Sequence, residues 1–71
     1  MKLKKIETID LINRGAILVQ IFNKMYGRYY YIIYENKNIY NINIKICDTL
    51  IKSMNLIKIN ISLNEKRFII N

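Results

Sequence analysis

Ile46, Cys47, Leu50, Ile51 and Met54 fall at i, i+1, i+4, i+5 and i+8, the spacing of one apolar stripe on a helix. Residues 56–62 then alternate apolar and polar side chains, the period of a strand. This abrupt change of period constrains the chain more than any other feature, because it requires a helix that stops sharply and a sheet that starts at once. Asn43 is placed to cap the helix and Asn55 to end it in the left-handed conformation. Asp48, Thr49, Lys52 and Ser53 point away from the stripe. Asn64-Glu65 offers a turn, and Lys66-Arg67-Phe68-Ile69-Ile70 returns as the second arm of a hairpin.

The first half has a similar plan. Residues 6–14 read as a short helix with Leu3, Ile6, Ile9 and either Leu11 or Ile12 turned inward, and Lys5, Asp10 and Asn13 outward. Gly15 follows Arg14 as a helix stop, a cation in the last turn and then a residue free to take positive φ. Residues 16–22 form a strand, with Ile17, Val19 and Ile21 on one face and Leu18, Gln20 and Phe22 on the other. A turn at 23–27 leads into a second strand at 28–34, rich in Tyr and Ile, which suit a pleated surface. A further turn at 35–38 precedes a third short strand at 39–41, and the second helix starts near Asn43.

The chain is therefore expected to be one α+β domain over residues 1–71, in the order helix, hairpin, short strand, helix, hairpin. A shift of 39 residues places Leu11-Ile12 on Leu50-Ile51, Ile17-Leu18 on Leu56-Ile57, and Arg28-Tyr29 on Arg67-Phe68. A degenerate repeat produces this match, and so does a shared helix-plus-hairpin logic without duplication.

Seventy-one residues support one core, and a core of that size supplies a net stability of only roughly 3–5 kcal/mol. Nothing can staple it: one cysteine excludes an internal disulfide, and the lack of histidine removes the usual zinc site. A homodimer or a larger partner is the expected source of further stability. Abundant Ile, Lys, Asn and Tyr suit A+T-rich coding. The longest uncharged apolar run, residues 16–22, is too short to span a bilayer, and Glu7 and Asp10 interrupt any signal-peptide pattern. A cytoplasmic protein with no membrane association is expected.

Catalysis finds little support. Histidine, the usual base near neutral pH, is missing. Cys47 lies on the apolar stripe, where cysteine acts as a small hydrophobe. The acids Glu7, Asp10, Glu35, Asp48 and Glu65 form no recognisable metal or acid/base pair, and Gly15 and Gly27 make no phosphate-cradling loop. No catalytic residue, metal or cofactor is expected.

Binding is better supported. Twelve Lys/Arg against five Asp/Glu give a net charge of +7, a strong positive field on a small body. Lys45, Lys52, Lys58, Lys66 and Arg67 become one patch if the second hairpin folds beside the second helix. Tyr26, Tyr29, Tyr30, Tyr31 and Tyr34 cluster around Arg28. Alternation sets Arg28, Tyr30, Ile32 and Tyr34 on one face, and Tyr29, Tyr31 and Ile33 on the other. Such aromatics stack on bases, form protein hot spots, or pack in the core. A cation beside aromatics marks the Arg28, Tyr30 and Tyr34 face as the exposed one, suited to a protein partner.

The segment from Asn43 to Lys58 resembles the recognition-helix-plus-wing part of winged-helix proteins, and is similar to small helix–hairpin proteins of phages and other mobile elements. The resemblance covers the last 30 or so residues and rests on pattern; a winged helix has three helices, whereas this chain shows two. It implies a binding module. The leading expectation is a non-enzymatic basic module for DNA or RNA. The alternatives are an inhibitor of a host defence or regulatory protein acting through the tyrosine surface, and a structural subunit of a ribonucleoprotein complex.

Overall fold

The computed structural model describes residues 2–71. In chain order the elements are α1 (Lys5–Asn13), β1 (Ile17–Asn23), β2 (Gly27–Tyr34), β3 (Lys37–Ile39), α2 (Ile44–Ser53), β4 (Ile57–Asn60) and β5 (Glu65–Ile69). The strands form one sheet in the order β3-β2-β1-β5-β4, with every neighbouring pair antiparallel. The α+β class and the element order follow the sequence pattern. The hairpin after α2 is part of this sheet, because β5 pairs with β1.

Both helices stop by the same device. Gly15 sits at φ +94°, and Ala16 N–H donates to Leu11 O. Asn55 sits at φ +52°, and Leu56 N–H donates to Ile51 O. Each bond satisfies a carbonyl that the helix end leaves open. At the other end of α2, the Asn43 side chain accepts from the Lys45 and Ile46 amides. In α1, Glu7 reaches back to accept from the Lys4 amide.

The helices share one face of the sheet. Ile12, Cys47 and Leu50 pack there on Leu18, Tyr30, Ile32 and Phe68, with Ala16, Ile42 and Leu56 at the margins. Two expectations are corrected. Ile6 is 74% exposed, and Thr8 takes the buried position instead. Its hydroxyl donates to Lys4 O, so the buried oxygen is satisfied within the helix. The third strand starts at Lys37, because Glu35 and Asn36 both have positive φ, 50° and 61°. Two such residues make a tight two-residue turn that sets Tyr34 directly opposite Lys37.

Among the described residues no helix lies on the second face. Its central side chain, Val19, is nevertheless fully buried, flanked in register by Tyr31 and Arg67. Tyr40 packs on Tyr31 with ring centroids 5.0 Å apart, and Arg67 pairs with Glu65 at 2.8 Å.

Candidate nucleic-acid interface

The helix-side face of the sheet changes character along the strands. One cross-strand row reads Lys58, Phe68, Leu18, Ile32 and Ile39; it is apolar apart from Lys58 at the edge. Two residues along each strand, the next row reads Asn60, Lys66, Gln20 and Tyr30, and beyond it Phe22 stands opposite Arg28. The helices cover the first row. Past them Lys66, Gln20, Tyr30 and Arg28, with Phe68 at the inner end, form the floor of an open cleft of about 530 Å³, walled by Asp48, Ile51 and Lys52 of α2 and by Leu56 and Lys58. A second hollow of about 510 Å³ continues it through Gln20, Arg28 and Lys66 to Phe22, Leu63 and Asn64. Together they make one groove along the helix-side face.

Arg28, Lys52, Lys58 and Lys66 bring four cations to the first hollow, against the single carboxylate of Asp48. The carboxylate is already engaged. Its Oδ2 accepts from Arg28 Nη2 at 2.7 Å and its Oδ1 from Tyr30 Oη at 2.6 Å. Tyr30 Oη in turn accepts from Gln20 Nε2 at 2.7 Å. Every ion pair among the described residues is made by an arginine: Arg14 with Asp10, Arg28 with Asp48, Arg67 with Glu65. Lys52, Lys58 and Lys66 are left with their charges uncompensated in the groove. Lys58 and Lys66 are diagonal neighbours on paired strands, roughly 7–8 Å apart at the backbone. That arrangement suits an extended anion better than a point charge.

The groove also offers an aromatic surface. Phe22 is 55% exposed. Its face of β1 carries Leu18 and Gln20, and the helix cover ends before it. An exposed ring with Arg28 opposite it and Lys66 close by is able to stack a base while the cations meet phosphates.

Of the five basic residues singled out from the sequence, Lys52, Lys58 and Lys66 meet in this groove. Lys45 is exposed on α2, two turns before Lys52 and outside the cleft. Arg67 is corrected: strand alternation sets it opposite Val19 on the other face, paired with Glu65. The tyrosine surface is also corrected. Arg28 is exposed, but Tyr30 is only 2% exposed and Tyr34 is half-buried against the core. The exposed tyrosines are Tyr26, Tyr29 and Tyr40. Alternation puts Arg28 on the same face as Tyr30, but it lies near the start of β2 at the margin of the helix cover. There its side chain stays exposed while its guanidinium reaches Asp48 of α2 and stands 5.8 Å over the Tyr30 ring. Phe22 is the residue that sequence reasoning missed. Its signal is its place on the Leu18 face beside the turn.

Cys47 is fully buried, and burial pushes its thiol up to about 12. It is protonated at neutral pH and has no route to a substrate. Among the described residues no three His, Cys, Asp or Glu side chains are grouped to hold a metal ion. No helix among them is long and apolar enough to cross a membrane.

No protein-family model matches the chain, and no curated protein or solved structure matches it either.

Proposed function

We propose that this chain is a non-enzymatic nucleic-acid-binding module that holds a single strand of DNA or RNA in the groove on the helix-side face. One observation carries the reading: three lysines without ion-pair partners converge in the same open groove as an exposed phenylalanine. The lysines meet phosphates, and Phe22 stacks on a base. A duplex hides its base faces, so a single strand is the better occupant. The +7 charge raises the encounter rate with any polyanion. This work belongs in the cytoplasm.

The test is fluorescence anisotropy with labelled oligo-dT, oligo-U and a duplex of equal length, at low and moderate salt. Binding that prefers the single strands and weakens steeply with salt is expected, since bound phosphates release counterions. Absence of binding even at low salt overturns the reading.

A second reading has its own support. Tyr29, Tyr31 and Tyr40 gather on the face away from the helices, where Arg67 and Glu65 cancel. Tyrosines on a neutral sheet face suit a protein partner, as an inhibitor of a host protein or a subunit of a ribonucleoprotein complex requires. Binding of this kind survives moderate salt.

A further inference from the structure

We propose that β4 pairs antiparallel with β4 of a second copy of this chain, about a two-fold axis at Ile59. The sheet has two edges, β3 and β4. β3 is only three residues long. β4 is exposed at all four positions.

The backbone of β4 is arranged for a partner. Ile61 N–H donates to Glu65 O. An antiparallel ladder bonds at every second residue, so Ile59 and Ile57 also bond β5. The N–H and C=O groups of Lys58 and Asn60 therefore point out from the sheet edge. On β5 the same alternation holds: Phe22 N–H donates to Asn64 O, which gives β1 the even-numbered residues of β5 and β4 the odd-numbered ones.

The side chains select one register. Ile57, Ile59 and Ile61 are 42%, 40% and 52% exposed and share the face away from the helices. Setting Ile59 opposite its copy places Ile57 opposite Ile61 and Lys58 opposite Asn60. The outward backbone groups of Lys58 and Asn60 then meet as hydrogen-bonded pairs, and the isoleucines form one continuous row. A shift of one residue puts isoleucine on the lysine face. A shift of two in one direction sets Lys58 directly against Lys58, and like charges directly opposite destabilise a pair. In the other direction it runs Lys58 onto Ser62, in the bend beyond the strand, and leaves Ile57 without an isoleucine opposite. The contact is isologous, so it closes at two copies. Lys58 of both copies lies on the groove side, so the two grooves meet at the seam. That consequence rests on the proposed function; the pairing itself does not.

Each copy carries +7, so the dimer strengthens as salt screens the repulsion, the opposite of the dependence expected for nucleic acid. The test is done without nucleic acid. Sedimentation velocity at roughly 0.5 mM protein, a concentration suited to a small interface, should show twice the 8.6 kDa monomer mass at moderate salt. Amide exchange at Lys58 and Asn60 should slow by about tenfold from dilute to concentrated protein. Asn60→Pro removes an outward donor and leaves the β4–β5 ladder intact, and Ile59→Lys sets two charges across the axis. Both variants should keep the wild-type circular dichroism and sediment as monomers. Wild-type protein that stays monomeric under these conditions, or folded variants that still dimerise, overturns the proposal. Anisotropy on the monomeric Asn60→Pro variant reports on nucleic-acid binding separately.

Discussion

Tyr30 Oη donates to Asp48 Oδ1 across 2.6 Å, tying the middle of the sheet to the first half of α2. The bond sits at the boundary between core and groove. On one side of it Tyr30 packs with Ile32 and Leu50; on the other Asp48 holds Arg28.

This link makes stability sensitive to alkali. Burial, and next the hydrogen bond to Asp48, push the Tyr30 hydroxyl up to about 12, whereas an unfolded chain titrates near 10. The folded state holds the proton more tightly, so the contribution is whole below about pH 10 and disappears as pH rises through about 12. Cys47, raised by burial to about 12, acts in the same direction from about pH 9 upward. Thermal melts from pH 7 to 12 should show the wild type losing stability more steeply above pH 10 than Tyr30→Phe. At pH 7 Tyr30→Phe should cost about 1–2 kcal/mol, because Gln20 and Asp48 each lose a partner. Parallel pH profiles for the two proteins would argue against a proton held at Tyr30.

Cys47 should be chemically quiet. A thiol reagent that labels the unfolded chain at once should label the native protein only through unfolding. Cys47→Ala should cost about 1 kcal/mol and leave binding unchanged. Rapid native labelling would mean that α2 opens locally.

Gly15→Val tests the end of α1. A Cβ at Gly15 meets nothing within 4 Å, so the cost comes chiefly from placing a β-branched residue at φ +94°. It should exceed about 1 kcal/mol, read as a lower denaturation midpoint. An unchanged midpoint would contradict the left-handed stop.

The groove is tested by charge and by ring. Lys58→Glu and Lys66→Glu should each weaken single-strand binding, and each lost phosphate contact should flatten the salt slope by about one unit. Arg67→Glu, on the opposite face, should change it far less. Phe22→Ala should cost about 1–3 kcal/mol of affinity, with little loss of fold stability, since the ring is mostly in solvent. If Arg67→Glu proves as harmful as Lys66→Glu, the charge acts as a diffuse field and the groove is not the site.

Most of the fold is legible in local pattern. The stripe at Ile46, Cys47, Leu50, Ile51 and Met54, the stops at Gly15 and Asn55, and the cap at Asn43 all appear where spacing and side-chain chemistry place them. The site is less legible, because alternation tells which side chains share a face but not which face meets the helices. Arg28 looks like the mark of an exposed face, yet the same face buries Tyr30, since a strand outruns the helix that covers it. Lys66 and Arg67 look like one patch in sequence; alternation sends them to opposite sides of the sheet. The turn at Glu35-Asn36 lacks the glycine that signals its type, so β3 begins earlier than composition suggests.

The order β3-β2-β1-β5-β4 also governs how the protein acquires its groove. Leu18 pairs with Phe68, joining segments near opposite ends of the described chain, while β1, β2 and β3 pair through short turns. Non-local pairing is slow because loop closure must be offset before its contacts form. The docking of β5 on β1 is the step that brings Lys58 and Lys66 to Lys52 and Phe22. The single-strand binding proposed above should therefore appear with the slowest folding phase, after much of the secondary structure has formed.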